Sequence, residues 1–70
     1  MFVHRHDFFM ALRQARKAAR RGDVASLERW LRAAERHTLI ARGLDAMDEA
    51  RETRTMRADL KRRRAQRSPM

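Results

Sequence analysis

Apolar residues return at three- and four-residue steps over two stretches of this chain. In the first, Phe8, Ala11, Leu12, Ala15, Ala18 and Ala19 share one side of a helical wheel, while Arg13, Arg16, Lys17 and Arg20 fall largely opposite. Asp7 stands where a carboxylate can cap the helix and meet the positive end of its dipole. In the second stretch Leu27, Trp30, Leu31, Ala34, His37, Thr38, Ala41 and Leu44 recur in the same way, flanked by Ala33, Ile40 and Met47. Glu28 and Arg32 form an i,i+4 pair in the favourable order, which on an exposed face contributes about 0.3 to 0.5 kcal/mol.

The junction between the two stretches is dense in signals. Arg20 and Arg21 suit the negative pole of a helix end, Gly22 can adopt the left-handed conformation that stops a helix, and Asp23 can cap the next one. The pattern predicts an all-α fold, an antiparallel helical hairpin with two main helices, over residues 1–60. Phe8, Leu12, Ala15, Leu27 and Leu31 are its expected packing contacts. Gly43 either ends the second helix or sits inside it, at about 1 kcal/mol relative to alanine. Because Leu44 and Met47 extend the stripe without a change of phase, the expectation is that the second helix continues. Beyond residue 50 the stripe thins to Thr53, Met56 and Leu60, and residues 61–70 are expected to form a basic, disordered tail.

Composition sharpens this picture. Seventy residues make one domain at most, and a chain so short is barely stable without a partner subunit, metal or disulfides. There is no cysteine, which excludes a disulfide framework and a thiolate zinc site and suits a reducing compartment such as a bacterial cytoplasm. No stretch reaches the roughly 20 apolar residues of a membrane span. Alanine and methionine supply much of the 43% apolar content, so bulky core formers are few. Self-association into a homodimer is therefore expected.

The net charge of +9 is unevenly spread: residues 1–22 carry +5, residues 23–50 carry −2, and residues 51–70 carry +6. Both ends are suited to acidic surfaces or phosphate backbones. Little else suggests chemistry. His4, His6 and His37 are widely spaced, and nothing in their spacing requires them to converge on a metal. Asp45, Asp48 and Glu49 read as a solvated acidic face rather than a catalytic dyad, and no serine, histidine and acid arrangement is present. The expectation is a protein without enzymatic activity and without a cofactor.

Two binding readings remain. In the first, an apolar stripe longer than its sister helix can cover needs a partner: about 15 residues of the first helix span roughly 22 Å, against more than 30 Å for a second helix running past Gly43. Trp30, Ile40, Leu44 and Met47 would form that interface. Trp30 could equally pack over the Gly22 turn against Leu12 and Phe8. In the second reading, nucleic acid is held through Arg13, Arg16, Lys17 and Arg20 together with Lys61, Arg62, Arg63 and Arg64. A helix-turn-helix at Gly22 fits less well, since the segment after the turn is long, acidic and apolar along one side.

The segment "ALRQARKAARRGDVASLERWLRAAERH", with its alternating alanines, Gly22-Asp23 turn and Trp30 followed by Ala33 and Ala34, resembles small helical-hairpin regulators of bacteria and their phages. It is similar to the ANR family of short transcriptional regulators and to short early proteins of Mu-like Pseudomonas phages, a group with a quorum-sensing anti-activator among its members. The likeness spans about residues 10 to 42. It implies a homodimeric phage protein in the cytoplasm of a bacterial host, one that binds a LuxR-type transcriptional activator and keeps it from DNA. A decoy for a DNA-binding surface should be acidic, and only residues 23–50 are, so the implied inhibition works by apolar docking and steric occlusion.

Overall fold

The computed structural model describes residues 4–38 and 43–67. Three helices follow one another: α1 (His4–Arg21), α2 (Val24–Thr38) and α3 (Leu44–Arg67). No strand occurs among the described residues.

Helix α1 starts before Asp7, so this carboxylate lies within the first turn, still at the positive pole. Its other end closes as the sequence suggests. Gly22 has φ of 73°, its N–H donates to the Ala19 carbonyl (3.1 Å), and the Asp23 N–H donates to the Ala18 carbonyl (2.9 Å). This is the paired arrangement of a Schellman motif, which gives partners to carbonyls a helix end leaves exposed. Asp23 then caps α2 by accepting from the Ser26 N–H at 3.1 Å. Two residues suffice to reverse the chain.

The resulting α1/α2 pair is antiparallel and packs around an apolar core. Phe8, Leu12, Ala15, Leu27 and Leu31 are all buried, as are Ala11, Ala18 and Ala34. One cluster gathers Ala15, Ala18, Leu27 and Leu31 near the turn; the other gathers Phe8, Ala11, Leu12 and Ala34 at the far end. The alanines leave little side-chain bulk between the helices. Trp30 belongs to neither cluster, and Phe8 and Leu12 lie at the opposite end of the pair from Gly22, so packing of Trp30 over the turn is not realised.

The second helix does not run through Gly43. Helix α2 is described as far as Thr38, whose hydroxyl donates to the Ala34 carbonyl (3.1 Å), and Gly43 has φ of 65°, which a continuing right-handed helix cannot contain. Its carbonyl accepts from the Ala46 N–H at 3.1 Å and opens α3. The long second helix of the expected hairpin is thus two helices, α2 and α3.

The physical reason lies in what α3 covers. Leu60 is buried beside Ala15, Ala18, Leu27 and Leu31, and Met56 packs against both core clusters. Glu49 and Thr53 are buried on the same four- and three-residue spacing, with the Thr53 hydroxyl donating to the carbonyls of Glu49 (3.0 Å) and Ala50 (3.1 Å). The thinning stripe after residue 50 is therefore a packing seam. Helix α3 continues through Lys61 to Arg67, the stretch expected to be disordered; residues 68–70 lie outside the described residues.

Candidate nucleic-acid interface

Polar contacts fix how α3 lies on the other two helices. Arg57 meets Glu35 of α2 with two forked bonds, Nε to Oε2 at 3.0 Å and Nη2 to Oε1 at 2.5 Å. That carboxylate raises the Arg57 pKa above its ordinary value, chiefly through the hydrogen bond. Further along, Arg64 pairs with Glu28 of α2, which also takes Arg32 at 2.6 Å. These contacts set α3 antiparallel to α2 and parallel to α1. They bring the basic end of α3 beside the basic end of α1.

Arg63 contributes differently from its neighbours. Its Nη1 donates to the Ala19 carbonyl (3.0 Å) at the end of α1, while its Nε donates to Asp59 Oδ2 (2.8 Å). Asp59 also accepts from Arg62 at 3.2 Å. The hydrogen bond from Arg63 is the largest cause holding the Asp59 carboxyl below its usual 3.8. Of the four cations expected to form a binding arm, Arg63 and Arg64 thus anchor α3. Arg62 and Lys61 face outward, and Lys61 has no ion-pair partner among the described residues.

On α1, Arg13, Arg16, Lys17 and Arg20 are exposed along one side. With Phe9 they line a hollow of about 440 Å³. Arg16 pairs with Glu52 of α3 at 3.0 Å, a contact in which both side chains are about half exposed, so it contributes at most about 1 kcal/mol. Arg13, Lys17 and Arg20 have no ion-pair partner among the described residues. Beside them runs a groove of about 420 Å³ between α1 and α3, floored by Ala19 and Met56 and walled by Arg16 and Arg20 on one side and Glu52, Thr55, Asp59 and Arg62 on the other. Arg16 and Arg20 belong to both hollows, which makes them one continuous surface.

Of the four residues expected to meet a protein partner, the side chains of two are described. Trp30 is 39% exposed on α2 and Met47 is 61% exposed near the start of α3. Ile40 lies outside the described residues, and of Leu44 only the backbone is described. The described part of α2 has 15 residues against 18 in α1, and α3 packs onto both, so no overlong apolar stripe is left uncovered by a sister helix. Glu49, expected on a solvated face, is buried instead. Phe9 was not singled out by the sequence pattern, because it falls beside rather than on the apolar stripe of α1; its place one turn before Arg13 was the available signal.

Among the described residues, no group of three or more histidine, aspartate or glutamate side chains is placed to hold a metal ion, and no helix is long and apolar enough to cross a membrane. The chain matches no family model, and comparison with curated proteins and with solved structures gives no match.

Proposed function

We propose that this protein is a nucleic-acid-binding module that holds the phosphate backbone along α1 and the adjoining edge of α3. The observation that carries this reading is the row of Arg13, Lys17 and Arg20 without acidic partners among the described residues, joined on one surface by Arg16 and by Arg62 from the far end of the chain. Unpaired cations in a row repel one another and contribute nothing to the fold, whereas a polyanion would neutralise them and release its own counterions. Arg16 can exchange its exposed Glu52 for a phosphate with little loss.

Fluorescence anisotropy with labelled DNA and RNA at low salt tests this. The triple variant Arg13→Ala, Lys17→Ala, Arg20→Ala should bind at least about tenfold more weakly. Its slope of log affinity against log salt should be shallower by about 2 to 3, since each phosphate contact contributes roughly 0.7 to 0.9. A folded wild-type chain that binds no nucleic acid at low salt rules the reading out.

A second reading is favoured by the exposure of Trp30. In it the chain is a small regulatory protein that self-associates and inhibits a host protein, such as a LuxR-type activator, through Trp30 and Met47. An indole half out of water at a desolvated contact would be a binding hot spot. Acrylamide quenching reads the chain's only tryptophan directly. Shielding that grows with protein concentration, or on adding such an activator, supports this reading; quenching indifferent to both defeats it.

A further inference from the structure

We infer that the face of the α1/α2 pair turned away from α3 docks an acidic amphipathic helix of another protein; this rests on the second reading above and gives its partner a chemistry. Trp30 is 39% exposed on α2, and Met10 is 40% exposed on α1. At about 100° per residue, Trp30 lies about 140° to 160° around α2 from Glu28 and Glu35, the residues that meet α3. Met10 lies about 180° around α1 from Ala19, whose carbonyl accepts from Arg63 of α3. Between them comes Ala33, within about 60° of Trp30 and packed against the cluster of Phe8, Ala11, Leu12 and Ala34, which sets it level with Met10. Trp30, Ala33 and Met10 thus form an apolar strip on the side that α3 does not cover.

Cations border this strip on both helices. On α1, Lys17 and Arg21 lie within about 20° of Met10; on α2, Arg29 and Arg36 lie within about 60° of Ala33. All four are exposed. Lys17, Arg29 and Arg36 have no ion-pair partner among the described residues, and Arg21 meets Asp23 only at 3.8 Å. An amphipathic helix matches such a face, with aliphatic side chains on the strip and carboxylates on either flank against the two borders. A second copy of this chain would bring like charge to like. Nucleic acid would answer the cations, but it has no aliphatic side chains to offer the strip.

The test uses a labelled synthetic helix of about eighteen residues, built from leucine, alanine and glutamate with its leucines three and four residues apart. A control peptide of the same composition has its leucines spread around the helix. Wild type should bind the first at least about tenfold more tightly, with the emission of Trp30 moving to the blue as the indole leaves water. Trp30→Ala should weaken binding by about thirtyfold or more, the loss expected at a hot spot, with circular dichroism confirming that it folds. The pair Arg29→Glu and Arg36→Glu, at exposed positions without ion pairs, should weaken it by at least about tenfold and make it less sensitive to salt. Equal binding of the two peptides, or binding that leaves the Trp30 emission unchanged, overturns the inference. Emission that responds to an oligonucleotide and not to the peptide overturns it and gives the face to nucleic acid. A response only to raised protein concentration, or only to the activator, overturns it and leaves the second reading standing.

Discussion

At the scale of single residues, the two glycines make an instructive pair. Gly22 and Gly43 have nearly the same left-handed φ, 73° and 65°, and a Cβ added at either would meet nothing within 4 Å. Alanine would therefore act through backbone strain alone, without a steric clash. Gly22→Ala should destabilise the protein by about 1 to 2 kcal/mol, read as a lower denaturation midpoint with an unchanged slope. Yet only Gly22 is recognisable beforehand. It stands between a basic pair and an aspartate, each of which favours its own helix end, whereas Gly43 stands between Arg42 and a leucine that keeps the apolar phase. A glycine without caps carries half the information of one with them.

At the scale of elements, α3 departs most from its appearance in the sequence. It has almost no hydrophobic asymmetry, because two of its buried positions are Glu49 and Thr53 and its solvent side is crowded with charge. The apolar periods of α1 and α2 made both helices legible, and with them the apolar positions Phe8, Leu12, Ala15, Leu27 and Leu31, which are buried. The seam of α3 was not, since a buried glutamate and threonine look polar to any pattern of apolar spacing. Its arginines were visible as charge, but which of them would turn inward depends on Ala19, Glu28 and Glu35, acceptors on other helices. Leu60 decides whether α3 belongs to the core. Leu60→Ala should lower stability by about 2 to 5 kcal/mol, the range for a buried leucine, with helix content falling in one transition. A loosely attached tail would instead absorb the substitution with hardly any change in midpoint.

At the scale of the whole molecule, charge is sorted by end. The first turns of α3 carry Asp48, Glu49 and Glu52, while its last turns, with Arg20 and Arg21 of α1, form a cationic end. That end is held partly by carboxylates, and acid should loosen it. The carboxyl of Asp59 is lowered from 3.8 mainly by the hydrogen bond from Arg63, and that of Asp23 mainly by its hydrogen bonds with Ser26. A carboxylate with a depressed folded-state pKa contributes stability above its unfolded value and loses it as pH falls through the folded one. Stability should therefore show no loss from these two groups between about pH 5 and 7 and decline below about pH 4. Thermal melts followed by circular dichroism across that range check this, and Asp59→Asn should flatten part of the acid limb. The raised pKa of Arg57 adds no slope in this window, since its contribution is lost only at strongly alkaline pH.

The break at Gly43 has one more consequence. A two-helix hairpin returns its chain to the side from which it set out; an odd number of helices does not. With three, the backbone enters at His4 beside one end of a body 47 Å long and leaves at Arg67 near the other. A donor and an acceptor dye attached at these two positions would stand far apart in the native state, and a tether pulled from them would load the bundle lengthwise, in shear, rather than unzip it from one side.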